Sequence, residues 1–172
     1  MADTAAPIRI NIGCGEHPLA GFWNLDECQG AVVDVVARVP PIPAPNNSVD
    51  EVYAGHFLEH LTQPEADEFI SECYRCLKPH GVLGITVPDF HEIAKRYLDA
   101  SVPARVEFPR GEWHDMHDLD EICHLFLFST VQPSNHKWAY DHRSLERLLH
   151  RHGFGRFTEI NRWMDPRVSV GA

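Results

Sequence analysis

The order of apolar and polar positions along the chain predicts short strands that alternate with loops and helices. Short runs rich in β-branched and other apolar residues, each followed by residues typical of turns, indicate strands. The runs predict strands over 8–12, 22–26, 31–36, 49–54, 82–87 and 156–163. The proline-rich segment after the third run fits neither a helix nor an interior strand, so it is a predicted loop.

Apolar residues that recur at helical spacing predict three helices. The first begins at Thr62 and Glu65, which have the spacing of a capping box, and it ends in the Lys-Pro-His-Gly sequence at 78–81. The others are predicted over 90–100 and 143–152, and the last of these is amphipathic.

Strands that alternate with helices indicate an α/β fold with a Rossmann-like, mainly parallel sheet and helices on both faces. The length of 172 residues suits one domain, and no internal repeat or domain boundary interrupts it. The segment at about 101–140 is irregular and rich in His, Asp, Trp and Pro. A long irregular stretch inside a compact domain predicts a lid-like insertion.

Charge and cysteine content narrow the class of protein. The net charge is −10, which disfavours a nucleic-acid partner because phosphate backbones are repelled. No apolar run approaches the length of a membrane span, and the amino terminus does not have the pattern of a secretory signal. The five cysteines show no disulfide framework spacing, so we expect reduced thiols and a cytoplasmic protein.

Two groups of residues have the side chains of a metal site, and each also has a structural explanation that needs no metal. Cys73 and Cys76 form a C-x-x-C, but they lie within a predicted helix and have no second cysteine pair, which favours ordinary packing. The His- and Asp-rich segment at 112–124 is either a metal site or a polar lid, and it has no ligand signature. We therefore expect no metal. The residues of that segment in question are His114, Asp115, His117, Asp118, Asp120 and His124.

The predicted carboxyl ends of the strands carry the candidate site, because ligands of such sheets bind there. After successive strands come a Gly-Cys-Gly turn at 13–15, then Asp26, then Gly55 and His56, and then Asp89. A dinucleotide-binding G-x-G-x-x-G is broken by a proline at its third position, and no P-loop motif is present. A nicotinamide-dependent oxidoreductase is therefore a weaker alternative.

The succession INIGCG, NLD, NNSVDEVYAGHFLEHL, CLKPHGVLGITVPD and NHKWAYDHRSLERLLHRHGF resembles the class I S-adenosylmethionine-dependent methyltransferases. It is most similar to their short methyltransferase type 11-like branch with an HxLEH signature. The resemblance covers residues 8–163 and implies S-adenosylmethionine as cofactor. It also implies methyl transfer to a small-molecule or saccharide acceptor. The alternative is a non-catalytic S-adenosylmethionine-binding or scaffold protein on a degenerate fold.

The resemblance assigns cofactor roles to residues near the first two strands. Gly13, Cys14 and Gly15 would lie under the methionine and ribose parts of the cofactor. Asn11 would hold the methionine ammonium through its amide oxygen, and Asp26 would bind the ribose hydroxyls.

Further roles follow for residues later in the chain. Gly55 and His56 would lie beside the methionine and the reactive methyl group. Arg38 stands where many relatives carry an acid that contacts adenine, so Asp34 is the candidate for that contact. Asp89 is either a general base or the cap of the helix that follows it. His56 is a second candidate base, or a structural histidine.

Other positions have open alternatives. Glu59 and His60 are expected to fix the fold by capping or loop anchoring. His136, Trp138 and Tyr140 either line the acceptor pocket or pin the lid. The resemblance also implies that the last strand of the sheet is short or missing, which would leave an exposed edge or a homodimer contact.

Overall fold

The computed structural model describes residues 6–98, 105–107, 113–115, 136–158 and 169–171 of the protein. Seven of its strands form one sheet in the order β3-β2-β1-β4-β5-β9-β8. The first five strands are parallel, and β9 is antiparallel to both β5 and β8. The strands of the sheet are β1 Arg9–Ile12, β2 Trp23–Asp26, β3 Val35–Val36, β4 Val49–Gly55, β5 Leu77–Thr86, β8 Arg156–Thr158 and β9 Ser169–Gly171.

Among the residues that the structure describes, three α-helices and one 3-10 helix accompany the sheet. A 3-10 helix at Leu58–His60 follows β4 and leads into α1 at Gln63–Cys76. Helix α2 spans Phe90–Leu98, and α3 spans His142–Arg151. The predicted helices are therefore confirmed to within a few residues at each end.

The start of α1 shows why that prediction held. The Glu65 carboxylate accepts hydrogen bonds from the backbone N–H and the hydroxyl of Thr62, at 2.8 and 2.7 Å. Helix α3 is capped from the other side, since its N-cap residue Asp141 accepts a hydrogen bond from the backbone N–H of Ser144 at 2.7 Å. Both caps use residues close in sequence, so local patterns are enough to locate them.

One face of the sheet is apolar and forms the core. Residues at the same register lie on the same face, and the first such row joins Ile10, Val52 and Leu83 across β1, β4 and β5. The next row on this face is Ile12, Ala54 and Ile85, and the members of both rows are buried. These strands share one continuous apolar cluster with α1 and α3. The helical members of that cluster are Ala66, Phe69, Ile70, Cys73, Cys76, Leu148 and Leu149.

The opposite face of the sheet is polar. Asn11 on β1 stands beside Asn24 on β2, and both side chains are buried. Tyr53 on β4 is also buried, and its hydroxyl lies 3.3 Å from the hydroxyl of Thr86 on β5. Hydrogen-bonding side chains therefore occupy this face where the other face has aliphatic ones.

The proline-rich segment is a loop, as predicted, and α1 holds it in place. The Arg75 guanidinium donates to the carbonyl oxygens of Ala44 and Ile42 at 2.8 and 3.0 Å. Glu72 orients that guanidinium and accepts a hydrogen bond from the backbone N–H of Ile42 at 3.0 Å. These contacts seat the buried side chains of Val39 and Ile42 in the core.

Two strand predictions differ from the structure. The third strand is limited to Val35–Val36, because the backbone turns between Gly30 and Val33 before it joins β2. Strand β5 begins at Leu77, where the sequence predicts the end of a helix followed by a turn. Its pairing with β4 shifts in register, so the residues of the predicted turn are accommodated within the strand as an irregularity.

The last strand of the sheet is short, which was one of the two expectations, and it is not missing. Strand β9 is paired on both sides and β8 is the last strand in the order, so the edge of the sheet lies at β8 and the homodimer contact stays a prediction. Most of the predicted lid at 101–140 lies outside the described residues. Within it the structure describes an antiparallel ribbon of β6, Arg105–Glu107, and β7, Trp113–Asp115. The rest of the predicted strand beyond 158, and the side chains of the 112–124 cluster, also lie outside the described residues.

Within the described ranges, no helix combines the length and the apolar character that crossing a membrane requires.

Candidate functional site

The candidate site lies at the carboxyl ends of the parallel strands. The strand order reverses at β1 and β4, because the chain passes from β1 outward to β2 and β3 and then returns to the other side of β1. Ligands of open α/β sheets bind in the crevice at such a reversal. The turns after β1, β2 and β4 therefore meet at one edge of the sheet, as the sequence predicts.

The Gly-Cys-Gly turn is tied directly to Asp26. The backbone N–H of Gly15 donates to Asp26 Oδ2 at 2.9 Å, and the backbone N–H of Cys28 donates to Asp26 Oδ1 at 2.9 Å. Gly15 has a φ of 51°, and no described residue lies within 4 Å of the place that a Cβ on Gly15 would occupy. This turn thus presents bare backbone to open space beside a carboxylate.

The other two glycines make room for side chains of the protein itself. A Cβ on Gly13 would lie 2.6 Å from Cδ2 of Phe57, whose ring packs edge-on against Phe69 at 5.1 Å between centroids. A Cβ on Gly55 would lie 2.5 Å from the hydroxyl of Tyr53. At both positions the absence of a side chain serves packing around the site.

Cys14 is directed into the protein. Its side chain is buried, and its backbone N–H donates to the carbonyl oxygen of Leu25 at 3.1 Å. Burial and the nearby Asp26 carboxylate raise the pKa of the Cys14 thiol, so the thiol is protonated at neutral pH. The sulfur of Cys14 therefore belongs to the interior.

Asn11 and Asn24 hold together the turn between β1 and β2. The Asn11 amide nitrogen donates to Asn24 Oδ1 at 2.9 Å and to the carbonyl oxygen of His17 at 3.2 Å. Asn24 Oδ1 also accepts from the backbone N–H of Leu19 at 2.8 Å. Asn11 thus uses both amide hydrogens within the protein, and its oxygen is the atom suited to a ligand.

Asp34 has partners at the polar face of the sheet. Its Oδ2 accepts from the backbone N–H of Asn24 at 2.8 Å and from the Asn24 side-chain amide at 3.1 Å. Val36, which pairs with Asp26, lies two residues beyond Asp34 and nearer the carboxyl edge of the sheet. Asp34 is thus set back from that edge and bound to Asn24, and Arg38 is exposed.

His56 occupies a backbone conformation that few side chains adopt. Its φ is 51°, and its backbone N–H donates to the carbonyl oxygen of Thr86 at 2.9 Å. The His56 side chain is half-exposed, and its Nδ1 lies 3.1 Å from Glu59 Oε1. That hydrogen bond raises the pKa of the His56 imidazole. Residues other than glycine in this conformation are enriched at ligand sites, and the position of His56 beside the reactive group stays a prediction.

The HxLEH segment is joined to a later part of the chain. The backbone N–H groups of Lys137 and Trp138 both donate to the carbonyl oxygen of Glu59, at 2.7 and 3.2 Å. The rings of His60 and His136 stand edge-to-face with centroids 4.8 Å apart. Glu59 thus anchors a loop, the role that the sequence favours for it.

Tyr140 and Asp89 meet at the end of β5. The two residues form a parallel bridge, and the backbone N–H of Phe90 donates to the carbonyl oxygen of Tyr140 at 2.8 Å. Asp89 Oδ1 accepts from the backbone N–H of His91 at 2.9 Å, so Asp89 caps α2. Tyr140 is buried in the core, and burial and the nearby Glu59 carboxylate raise its pKa to about 12. Trp138 is exposed.

Sequence reasoning missed the residues that support the site from below. Asn24, Tyr53, Phe57 and Thr86 make the contacts that position the turns. All four lie within the stretches that carry the resemblance, but the sequence assigns a role to none of them. The one available signal was Asn24, since an asparagine in the middle of a short strand requires a polar partner when the strand is buried. The burial of Cys73 and Cys76 agrees with packing, and it raises the pKa of the Cys76 thiol to about 11.

The sequence of this chain is similar to those of known methyltransferases. Residues 20–85 match a sequence family described as a methyltransferase domain. A protein of Mycolicibacterium smegmatis named as a probable S-adenosylmethionine-dependent methyltransferase is 32% identical over 98 residues, which cover 46% of this chain and 37% of that protein. The demethylmenaquinone methyltransferase of Chlamydia muridarum is 28% identical over 144 residues, which cover 80% of this chain and 52% of that protein.

Solved structures share the fold at low sequence identity. A methyltransferase of Archaeoglobus fulgidus described as SAM-dependent matches with a TM-score of 0.56 and 19% identity, over 90% of this chain and 63% of that one. The corresponding protein of Mesorhizobium loti matches with a TM-score of 0.55 and 13% identity, over 100% and 94% of the two chains. The chain thus spans less than two thirds of the length of the first relatives that it matches. It spans most of the length of the Mesorhizobium loti protein. The strand order and these likenesses show that the chain has the Rossmann-like α/β fold of S-adenosylmethionine-dependent methyltransferases, and that its residues 20–85 are similar to a methyltransferase domain.

Proposed function

We propose that this protein binds S-adenosylmethionine at the turns after β1, β2 and β4 and transfers its methyl group to a small-molecule or saccharide acceptor. The contact between the Gly15 N–H and the Asp26 carboxylate carries the proposal. It places a carboxylate and an unobstructed glycine backbone together at the point where the strand order reverses.

Asp26 can bind a ribose without losing its structural contacts. Each of its oxygens accepts one backbone N–H, from Gly15 or from Cys28. A carboxylate has about four lone-pair sites, so each oxygen can accept a further hydrogen bond from a ribose hydroxyl. The two existing contacts also fix the orientation of the carboxylate, which reduces the entropy lost on binding.

The methionine part of the cofactor is proposed to lie beside the backbone of the turns at Gly13 and Gly55, since Phe57 and Tyr53 occupy the space where side chains of these glycines would be. Asn11, with both amide hydrogens used inside the protein, presents its oxygen to the ammonium group. Asp34 is the weakest of the proposed cofactor contacts, because its Oδ2 is bound to Asn24 and adenine would require it to move.

Methyl transfer from a sulfonium is an in-line displacement, in which the cofactor supplies the activated methyl group and the protein supplies position. His56 is half-exposed and belongs to the turn after β4, so it is the proposed neighbour of the reacting atoms. Asp89 remains a proposed base, with one of its oxygens engaged in capping α2.

The surface beside Asp89 supports an acceptor with a ring. Phe90 and Trp138 are exposed and flank the bridge between Asp89 and Tyr140. Exposed aromatic side chains offer apolar faces on which the rings of a saccharide or another small acceptor can stack.

The alternative of a non-catalytic binder has one observation in its favour. The acid that adenine would need is bound to Asn24, and Arg38 stands in the family position for it. A scaffold that binds the cofactor without turnover would tolerate this arrangement. A cytoplasmic location is proposed for either function, because Cys14, Cys28, Cys73 and Cys76 are all free thiols, as expected in a reducing compartment.

Calorimetric titration with S-adenosylmethionine and S-adenosylhomocysteine tests the cofactor site. We expect Asp26→Asn to weaken binding by about tenfold or more, since hydrogen bonds to a charged group contribute about 1.5–3 kcal/mol. Glu27→Gln is the matched control, because this exposed neighbour undergoes the same change from carboxylate to amide. Equal loss in both variants, or no binding to the unmodified protein, would contradict the proposed site.

Product analysis separates the enzyme from the scaffold. The protein is incubated with S-adenosylmethionine and a panel of hydroxylated and glycosylated small molecules, and formation of S-adenosylhomocysteine is measured by mass spectrometry. Acceptor-dependent formation that falls in His56→Ala supports methyl transfer. Tight cofactor binding without product across the panel favours the scaffold.

A further inference from the structure

Three side chains with metal-ligating atoms converge beside the candidate site. Glu59 and His60 come from the 3-10 helix after β4, and His136 comes from the segment that precedes α3. One ligand atom from each of the three lies within 4.8 Å of the other two. The cluster combines one carboxylate with two imidazoles.

The carboxylate of this cluster is buried and incompletely satisfied. Glu59 is only 1% exposed, and its Oε1 is hydrogen-bonded to His56. Its Oε2 is also buried and has no hydrogen-bond partner among the described residues. A buried carboxylate oxygen without a partner costs free energy, so such an atom in a folded protein points to a ligand.

A second buried atom supports the same conclusion. His60 Nδ1 has no hydrogen-bond partner within the described part of the chain. An unprotonated imidazole nitrogen and a carboxylate oxygen both present lone pairs, and a cation is the partner that satisfies both at once. Two imidazoles and one carboxylate form a ligand set that zinc and similar divalent transition metals accept.

We propose that Glu59, His60 and His136 bind one divalent transition-metal ion of the zinc class. Tetrahedral bonds of about 2.0–2.2 Å place ligand atoms roughly 3.4 Å apart, so the cluster must tighten slightly on binding. His60 and His136 are both partly exposed, and rotation of their side chains is the movement that this tightening requires.

The surroundings of the cluster are already arranged to hold its ligands. His56 bonds to the Glu59 oxygen opposite the proposed ligand atom, and so fixes the plane of the carboxylate. The two backbone hydrogen bonds from Lys137 and Trp138 to the carbonyl oxygen of Glu59 fix the two contributing segments to each other. The ion would cross-link these segments and leave a fourth position for water or another ligand.

Metal binding can be measured without any assumption about methyl transfer. Chelator-treated, dialysed full-length protein is titrated with Zn²⁺ by calorimetry and with Co²⁺ by visible absorption. We expect one ion per chain at this site, the absorption bands of a tetrahedral N/O cobalt site, and a melting temperature that rises with ion concentration.

Two variants and two controls assign that ion to the cluster. We expect His136→Gln and Glu59→Gln each to weaken binding at least about tenfold and to remove the cobalt bands. His136→Gln is the decisive variant, because its side chain is partly exposed and its folding is checked by circular dichroism. His150→Gln, on the exposed side of α3, controls for general histidine binding. The triple variant His114→Gln, His117→Gln, His124→Gln controls for the other histidine-rich segment.

Either of two results would overturn the proposal. One is the absence of Zn²⁺ or Co²⁺ binding tighter than about 0.1 mM. The other is binding that persists in His136→Gln and is lost in the triple variant. Cofactor titrations on the same samples show independently whether the methyltransferase proposal stands.

Discussion

The two faces of the sheet are stabilised by different kinds of interaction. On the apolar face, rows such as Ile10, Val52 and Leu83 pack against α1 and α3 in one continuous cluster. On the polar face, Asn11 and Asn24 hold the turn after β1 through hydrogen bonds of about 2.8–3.2 Å. The first arrangement depends on the area removed from water, and the second depends on geometry.

This difference determines how each face should respond to mutation. Loss of one aliphatic group leaves a cavity whose cost grows with its volume. Loss of one member of a buried polar network leaves its partners without hydrogen bonds. The loss of stability therefore depends on how many groups lose their hydrogen bonds. The polar face also supports the candidate site, so damage there is expected to reach the ligand.

The largest effect is expected on the apolar face. Phe69 is fully buried in α1 and contacts the ring of Phe57. We expect Phe69→Ala to reduce the free energy of unfolding by about 3–5 kcal/mol. Chemical denaturation measures the change. Leu98→Ala, at a residue that is 80% exposed, is the control and should change stability by less than about 0.5 kcal/mol.

The polar face should show a smaller but strongly non-additive effect. We expect Asn24→Ala to cost about 2–3 kcal/mol, because Asn11 and the backbone of Leu19 lose their partner in a buried place. The double variant with Asn11→Ala should cost less than the sum of the two single variants. Denaturation of all three tests this. Simple additivity would mean that the two asparagines do not act as a network.

The proline-rich loop combines both kinds of interaction, because hydrogen bonds from Arg75 hold the loop while its apolar side chains pack in the core. Arg75→Ala removes hydrogen bonds to the carbonyl oxygens of Ile42 and Ala44, and we expect a loss of about 1–2 kcal/mol. Arg75→Lys should recover only part of it, because an ammonium group lacks the planar fork. Arg143→Ala, an exposed cation on α3, is the control. If the alanine and lysine variants are equally stable, the lysine recovers nothing, and the expected partial recovery by a charged side chain at this position is wrong.

The smallest expected effect belongs to the cap of α1 and depends on pH. Hydrogen bonds from Thr62, and more weakly Lys137, lower the pKa of Glu65 to about 2. Because the folded-state pKa lies below the ordinary value of 4.5, the stabilisation is present above about pH 4.5 and is lost as the pH falls towards 2. We expect Glu65→Gln to cost about 0.5–1 kcal/mol at pH 7, and the difference from wild type to disappear near pH 2.

Denaturation curves of the two proteins between pH 2 and pH 7 measure that difference. Glu68→Gln, at an exposed position on the same helix, is the control. A difference between wild type and Glu65→Gln that does not change with pH would show that the carboxylate charge is not responsible.

How well each region could be predicted follows the range of its interactions. The start of α1 and both ends of α3 were located to within about one residue, because their caps and apolar spacing are local. Strand β3 is shorter than predicted, because the chain turns between Gly30 and Val33 and pairs with β2 only after Asp34. The start of β5 was placed in a turn, because its pairing with Val49 comes from a distant segment.

The same limit applies to the candidate site. The sequence by itself determined the fold class and the location of the glycine turns and Asp26 at the ends of strands, because apolar spacing and strand-end motifs are properties of contiguous residues. Only the tertiary structure decided that Gly13 and Gly55 make room for Phe57 and Tyr53, and that Asp34 binds Asn24. It alone also brought His136 to Glu59. Contacts of this kind depend on which strands become neighbours and how side chains rotate between them, and no local pattern encodes that.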